Sequence, residues 1–163
     1  MEIPTPKLVN GILCKICSGC RNWLPREINF SKWKSTPDGY EYFCRNCNHQ
    51  RLLQKPFHSK IYGLRSNAKK RDIFFDLTAK DLEDKWNECE GKCSLLEIKL
   101  VLIPRYRAMR NTATVDRIDT TKGYTRDNVM WLSSFANWNK KDMTLEELDL
   151  FCKNWQKLRN KLI

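Results

Sequence analysis

The sequence contains few histidines and no long apolar run. Among its 163 residues only His49 and His58 are histidines, so no segment after residue 58 carries an imidazole of its own. No apolar stretch approaches the ~18 residues of a membrane-spanning helix. Residues 1–6 also lack the basic and apolar regions of a signal peptide. These absences predict a cytoplasmic protein with no membrane partner, whose cysteines bind metal or remain thiols.

Acidic residues are also in the minority. The chain has 19 Asp and Glu against 30 Lys and Arg, which gives a net charge of +11 and a pI of about 9.4. Such a balance is typical of proteins that bind phosphates and release their counterions, so double-stranded DNA is the leading partner. Ribosome-like or merely solubilising basicity is the alternative. The length suits one domain or two small ones, and the polar N-terminal third is too short to bury a core unaided.

Five of the eight cysteines lie between residues 14 and 47, as Cys14, Cys17, Cys20, Cys44 and Cys47. Two Cys-x2-Cys pairs separated by such an interval form a strong signal for a tetrahedral zinc site. Either Cys14 or Cys20 can pair with Cys17, and His49 is a further candidate ligand. The Thr36-Pro-Asp-Gly39 segment predicts a turn between two short strands. The metal is expected to stabilise this segment in place of a core.

The chain becomes helical and basic after residue 48. Pro56 predicts a break between two helical pieces, and Ser59 is a candidate N-cap for the second. The basic residues Arg65, Lys69, Lys70 and Arg71 suit contacts with phosphates, although an ordinary solvated helix face is the alternative. Capping boxes are predicted at Thr78 and at Thr144. The second of these begins a final helix whose expected buried face consists of Leu148, Phe151, Cys152, Trp155 and Leu158.

Residues 113–140 carry the most informative motif. They contain Ala113-Thr-Val-Asp-Arg-Ile-Asp119, Lys122-Gly-Tyr124, Asn128-Val129 and Ala136-Asn-Trp-Asn-Lys140. This pattern resembles the phage branch of the HNH, or ββα-metal, endonuclease family. The resemblance implies that Asp116 and Asn137 bind Mg2+ or Mn2+ and that Asn128 ties a loop to a strand. Lys140 matches the lysine that follows the last metal ligand in the family motif, and Arg117 stands where the family has its histidine base.

The N-terminal cysteine segment is similar to the zinc-ribbon heads of phage HNH endonucleases. That similarity implies Cys17, Cys20, Cys44 and Cys47 as zinc ligands and leaves Cys14 outside. The resulting fold class is α+β, with a zinc ribbon at 1–50, a basic helical connector at 51–92 and an HNH-like ββα-metal core with a C-terminal helix at 93–163. Residues 93–104 resemble the first hairpin of that core. The arginines Arg105, Arg107 and Arg110 before the proposed active strand suit phosphate contacts.

Two functions remain open at this point. The first is a metal-dependent DNA endonuclease, which would cut or nick DNA in the cytoplasm of a bacterial host if it is phage-encoded. The second is a non-catalytic DNA-binding protein derived from such an enzyme. Arg117 does not deprotonate, although it can stabilise a phosphate. Asp119 is the nearest carboxylate, but an ordinary acid is a weak base near neutrality. Water activation would then depend on the metal or on a distant group such as His58.

Overall fold

The computed structural model describes residues 4–105 and 108–162 and mixes helices with strands, as expected for an α+β chain. It divides into two compact units, residues 1–55 and residues 56–163. No helix in the described ranges is long and apolar enough to cross a membrane. The assignment of separate roles to 1–50, 51–92 and 93–163 stays a prediction.

The first unit is built on a three-stranded antiparallel sheet. Strands β1 (Lys7–Val9), β2 (Ile12–Ile16) and β3 (Trp23–Pro25) lie in the order β1-β2-β3. Helix α1 (Arg26–Asn29) follows β3, and helix α2 (Arg45–Gln54) ends the unit. Its small core contains the buried side chains of Phe30, Tyr40, Cys17 and Cys44.

The predicted turn at residues 36–39 is confirmed. Gly39 has a φ of +74°, which glycine adopts without strain, and its N–H donates to the carbonyl of Thr36 at 3.0 Å. Among the described residues, the strands expected on either side are reduced to one isolated bridge between Lys32 and Tyr40.

A buried lysine fastens this turn to the sheet. The Nζ of Lys15 on β2 lies 2.8 Å from Asp38 Oδ1 and donates to the Tyr40 carbonyl at 2.8 Å. The Lys15 side chain is only 2% exposed. A charge buried to this degree needs such partners, and they keep the turn in place.

In the second unit, helices precede and follow residues 113–140 in the chain. Helices α3 (Pro56–Lys70) and α4 (Ala79–Glu88) flank the short strand β4 (Phe75–Asp76). Strand β5 (Ala113–Arg117) pairs antiparallel with β7 (Val129–Ser133), and β4 pairs parallel with β6 (Tyr124–Thr125). Helices α5 (Ser134–Lys140) and α6 (Leu145–Arg159) follow β7.

Trp131 lies at the centre of the second unit's core. Its ring packs edge-on against Trp86 at 5.1 Å and against Phe57 at 6.3 Å between ring centroids, and its Nε1 donates to the Leu82 carbonyl at 3.1 Å. Leu132 beside it is fully buried. The indole N–H is thus satisfied inside an apolar cluster, and this cluster supports the β5–β7 pair.

Helix boundaries follow the predicted signals with one exception. Pro56 separates α2 from α3, and capping boxes form at Thr78 and at Thr144 as predicted. The predicted N-cap at Ser59 is wrong, because α3 already begins at Pro56. Proline is favoured at the first helical position, where its missing N–H costs no hydrogen bond.

Two further expectations are wrong. Residues 93–104 form turns rather than a regular hairpin: Glu97 takes a φ of +55°, and the pairing described there consists of isolated bridges at Lys92 with Lys99 and at Val101 with Thr112. The expected buried face of α6 is exposed, since no residue of this helix is buried. Periodicity gave the helix an apolar face, but no described element covers that face.

Gly123 must remain a glycine for β4 and β6 to pair. A Cβ at this position would lie 2.5 Å from the carbonyl oxygen of Phe74, which accepts from the Tyr124 N–H at 2.8 Å. We expect Gly123→Ala to lower the free energy of unfolding by ~2 kcal/mol or more in urea denaturation, because rigid backbone must move.

Gly63→Ala is the matched control. Gly63 lies within α3, and a methyl group added there would meet no atom within 4 Å. Alanine should raise the stability there by up to ~1 kcal/mol through helix propensity. Equal effects of the two substitutions would contradict the close approach at Gly123.

Candidate functional site

Four cysteine thiols converge in the first unit. Cys17 and Cys20 lie in the β2–β3 loop, Cys44 is the N-cap of α2, and Cys47 lies in its first turn. Their Sγ atoms all lie within 4.8 Å of one another. A tetrahedral zinc site with Zn–S bonds of ~2.3 Å places its sulfur atoms ~3.8 Å apart, so this group fits such an ion.

Backbone N–H groups point at the same sulfur atoms. The Cys17 Sγ accepts from Gly19 N at 3.3 Å and from Cys44 N at 3.2 Å, and the Cys44 Sγ accepts from Cys47 N at 3.5 Å. A Cβ on Gly19 would lie 3.0 Å from the Cys47 Sγ, so glycine permits the close approach of the two loops. These bonds stabilise negative sulfur, the form that binds metal.

The thiols oppose one another's ionisation. Burial alone would raise the pKa of Cys17, but hydrogen bonds from Cys44, Cys20 and Gly19 lower it to about 6. Burial and the neighbouring thiols raise the pKa of Cys47 to about 12. Four thiolates so close together repel, and a divalent cation among them removes this conflict.

The alternative ligands lie outside this group. Cys14 is buried in β2, and neither it nor His49 belongs to the cluster. In the second unit the Sγ of Cys93 accepts from the Ser133 N–H at 3.3 Å and is buried, which is the environment of a structural thiol. Across residues 4–105 and 108–162, no second group of three or more potential metal ligands is found.

A polar face of β5 meets a polar face of α5 in the second unit. Thr114 and Asp116 alternate with buried residues along β5, so both point to the same side of the strand. Asn137 and Lys140 lie one turn apart on α5. The Asn137 Nδ2 donates to Thr114 Oγ1 at 3.1 Å, and the Lys140 Nζ lies 2.9 Å from Asp116 Oδ2.

Lys140 is almost fully buried, with 2% of its side chain exposed, and it also donates to the Arg117 carbonyl at 3.1 Å. The angle between the Lys140 ammonium and Asp116 Oδ2 is not that of a hydrogen bond, so the two groups are held together by their opposite charges. This buried oxygen accepts no hydrogen bond. A carboxylate oxygen beside an amide suits a hard divalent cation, so Asp116 and Asn137 fit Mg2+ or Mn2+ chemically.

Thr114, Asp116, Arg117 and Asn137 line a groove of about 440 Å³. Its walls also carry two cations and one further carboxylate, namely Arg71, Lys141 and Asp142, together with Tyr124 and Trp138. The Trp138 side chain is 73% exposed, and the Lys141 Nζ lies 5.2 Å from its ring centroid. The groove therefore combines acidic ligands at its wall with positive charge and an exposed aromatic ring.

The Asp119 loop is held by its own hydrogen bonds. Asn128 donates through Nδ2 to the carbonyls of Asp119 and Gly123 and accepts from the Asp119 N–H through Oδ1. The Asp119 Oδ1 accepts from Thr121, and the Lys122 ammonium lies 3.1 Å from its Oδ2. These contacts, with Thr121 the largest, lower the pKa of Asp119 to about 2, so it is a very weak base.

Arg117 takes part in the fold of the same loop. The residue is only 7% exposed, and its Nη1 donates to the Lys122 carbonyl at 2.6 Å. The guanidinium carbon lies 5.5 Å from the Tyr124 ring centroid. Part of its donor capacity is therefore committed to the turn, and a contact with phosphate stays a prediction.

The basic residues predicted to contact DNA are distributed along the second unit. Lys69 and Lys70 are exposed at the end of α3, Arg65 lies over the Phe75 ring, and Arg110 lies over the Phe135 ring. Arg71 alone of this set lines the groove within the described residues. Arg105 is exposed, and Arg107 lies outside the described residues. His58 is exposed on α3 and is not among the residues that line the groove.

Sequence reasoning missed Thr114, Trp138, Lys141 and Asp142. Thr114 had a signal, because it alternates with Asp116 on the strand and so must share its face. Lys141 lies four residues after Asn137, which places it near the same helix face. Trp138 and Asp142 had no comparable signal, since their places depend on where α5 ends.

Comparison with curated proteins identifies a distant relative from a prophage. The chain is 27% identical over 112 residues to YoqL, an SPbeta prophage-derived protein of Bacillus subtilis (strain 168) whose name proposes an HNH endonuclease. The match covers 61% of this chain and 48% of YoqL, so this chain spans about half the length of that relative. No protein-family model matches the chain, and no solved structure matches it.

The thiol cluster predicts one zinc ion per chain. Metal analysis of purified protein should give a zinc-to-chain ratio near one, and Cys44→Ser should lower it to near zero because the remaining thiols cannot complete the tetrahedron. The same variant should make the first unit sensitive to proteolysis, since metal binding and folding are coupled.

Cys14→Ala is the matched control, because Cys14 is buried nearby without belonging to the cluster. It should retain one zinc. Loss of zinc in Cys14→Ala, or its retention in Cys44→Ser, would contradict the ligand set.

Proposed function

We propose that this chain is a metal-dependent DNA endonuclease that hydrolyses phosphodiesters, with a zinc ribbon as a structural unit. The observation that carries the proposal is the β5–α5 groove, where Asp116 and Asn137 are lining residues together with the cations Arg71, Arg117 and Lys141. The similarity to YoqL supports a relationship to nucleases, because the name of that protein proposes an HNH endonuclease. The net charge of +11 supports a nucleic-acid substrate.

The order of elements supports a ββα-metal core. Strand β5 pairs antiparallel with β7, and α5 follows β7 at once and lies against β5. The Ser133 Oγ accepts from the Ala136 N–H at 3.0 Å and so caps α5 where the strand ends. This junction places Asn137 against Thr114 and Lys140 against Asp116.

A bound Mg2+ or Mn2+ would supply positive charge that polarises the scissile phosphate and stabilises the leaving 3′ oxygen. The chain's own residues prepare the site. Lys140 fixes the position of the Asp116 carboxylate, and Thr114 orients the Asn137 amide. Arg71 and Lys141 attract the DNA backbone to the groove and need no sequence readout to do so.

Asp142 would orient the attacking water. Among the described residues that line the groove, Asp116 and Asp142 are the two that carry a carboxylate. Asp119 is unsuited because its hydrogen bonds hold its pKa at about 2. Asp142 lies in the turn between α5 and α6, two residues after the end of α5.

A non-catalytic DNA-binding protein is the second candidate. Two observations favour it: Asp116 is already paired with the Lys140 ammonium, and Arg117 occupies the position of the family's histidine base while bonding to Lys122. Such a protein would retain the basic groove but would not cleave DNA. A cleavage assay separates the two functions.

The decisive experiment is incubation of supercoiled plasmid with the protein and Mg2+ or Mn2+. We expect nicked product from the wild-type protein, and at least ~100-fold less from Asp116→Asn and from Asn137→Ala, because these side chains act on the metal and the transition state. Asp142→Asn should also lower the rate. Asn139→Ala on the exposed side of α5 is the control and should nick normally.

Each result decides between the candidates. Wild-type protein that binds DNA without nicking it in either metal would establish the non-catalytic alternative. Wild-type rates in Asp116→Asn would remove the metal-site proposal, whereas loss of DNA binding in that variant would indicate a folding defect visible by circular dichroism.

DNA affinity should fall steeply as salt concentration rises. Each phosphate contact contributes ~0.9 to the slope of log affinity against log salt for duplex DNA. Arg71→Ala and Lys141→Ala should therefore each reduce the slope by about one unit in fluorescence anisotropy titrations.

Lys80→Ala is the control for charge alone. Lys80 is exposed on α4 and pairs with Asp84 at 2.9 Å, so its removal should leave the slope unchanged. A flat salt response of the wild-type protein, or an equal change in all three variants, would argue that the basic groove does not receive DNA.

A further inference from the structure

Trp138 is an exposed aromatic residue in a groove whose other walls are mostly polar. Its side chain is 73% exposed, although it follows Asn137 directly on α5 and lines the groove together with Asp116. Tyr124 also lines the groove but is buried. A single exposed aromatic residue is ordinary on a protein surface, so its surroundings decide whether it binds a ligand.

The surroundings of Trp138 are those of a nucleic-acid contact. The Lys141 Nζ lies 5.2 Å from the Trp138 ring centroid, within the ~6 Å of a cation–π contact. Arg71 lines the same groove. Proteins that hold single-stranded nucleic acid combine an aromatic ring with neighbouring cations, because the ring stacks on a base while the cations meet the phosphates. The groove has both parts of such a contact.

Phe135, three residues earlier on α5, is an aromatic residue whose ring already has a close partner. The Arg110 guanidinium carbon lies 3.8 Å from the Phe135 ring centroid, and the Phe135 side chain is 39% exposed. Phe135 is not among the residues that line the groove. Trp138 is more exposed and its cation is farther from the ring, so a large part of its ring surface is open to a base.

The flat ring of Trp138 matches a base that is not paired in a duplex. Within a duplex, each base is stacked between its neighbours, and the grooves present polar base edges. Trp138 has one N–H donor for such an edge, whereas its ring face can stack on any of the four bases. Bases with an open face occur in single-stranded segments, in loops and where a nucleotide has left the duplex.

We propose that the β5–α5 groove receives an unpaired nucleotide of DNA, with its base stacked on Trp138 and its phosphate beside Asp116 and Asn137. This inference rests on the proposed function, because it takes this groove as the place where the substrate binds. The groove volume of about 440 Å³ lies within the ~300–1,000 Å³ of sites that hold small molecules. Successive residues of a helix point about 100° apart, so a base on Trp138 leaves the Asn137 amide uncovered.

Two oligonucleotides of equal charge test the proposal without any cleavage. One is an oligothymidine of ~12 nucleotides, a length that single-strand-binding domains accommodate, and the other is a chain of tetrahydrofuran abasic analogues with the same number of phosphates. Fluorescence anisotropy titrations are made without added Mg2+ or Mn2+. The wild-type protein should bind the oligothymidine ~tenfold more tightly, because only that chain has bases to stack.

Variants of the ring connect this preference to Trp138. Trp138→Ala should bind both chains with the affinity that the wild-type protein has for the abasic chain, and Trp138→Phe should keep most of the preference because a phenyl ring also stacks. Trp155→Ala is the matched control. Trp155 is a 56% exposed tryptophan on α6 that does not line the groove, so its removal should leave the preference unchanged.

Cleavage provides a second readout. With Mg2+ or Mn2+ and low substrate concentration, a duplex that contains a short loop of unpaired thymidines should be cut ~tenfold faster than the same duplex with an abasic loop. Trp138→Ala should cut the two at equal rates. The fully paired duplex should be cut more slowly than the thymidine loop, because a base must first leave its stack.

Three binding results would overturn the proposal. These are equal affinity of the wild-type protein for the two chains, an unchanged preference in Trp138→Ala, or the same loss of preference in Trp155→Ala. Failure of the proposed function gives a different result. Base-dependent binding through Trp138 without cleavage in either metal would remove the endonuclease and keep the nucleotide site, whereas nicking with no dependence on bases would keep the endonuclease and remove the stacking role of Trp138.

Discussion

The geometry of the second unit depends on one buried ammonium group. Lys140 is almost fully removed from water, and its Nζ lies between the Asp116 carboxylate and the Arg117 carbonyl. Burying a lysine and an aspartate is costly unless each compensates the other, so this pair favours the observed register of α5 against β5. Asn137, one turn earlier, is thereby fixed opposite Thr114. The acidic wall of the groove is a consequence of this pairing.

In the first unit, cysteine sulfur atoms lie at the centre of the structure. Its apolar core is small, and Phe30 and Tyr40 pack directly around Cys17 and Cys44. Metal binding would then couple the β2–β3 loop to the start of α2 in one step, with N–H groups already directed at the sulfur atoms. Each unit depends on a cation. In the second unit it is the Lys140 ammonium, and in the first unit the four thiols are suited to a metal ion.

Local signals in the sequence predicted local structure well. The spacing of the cysteines indicated a four-thiol site but left Cys14 and Cys20 as alternatives, and the resemblance to zinc-ribbon heads selected the four thiols that converge. The residues at Pro56, Thr78 and Thr144 anticipated helix boundaries. The wrong expectations concern tertiary context. Periodicity along α6 identified an apolar face but carried no information on what covers it, and the β-rich composition of residues 93–104 could not show that the chain turns at Glu97. Trp138 and Asp142 were missed because their positions follow from the packing of α5.

The parallel pairing of β4 with β6 has a consequence for how the molecule assembles. Phe75 lies opposite Tyr124, so this contact closes a loop of ~50 residues, and such closure is entropically slow compared with forming the adjacent helices. The Asn128 clamp lies just beyond it on the chain. Helices α3 and α4 are therefore expected to form before β4 pairs with β6.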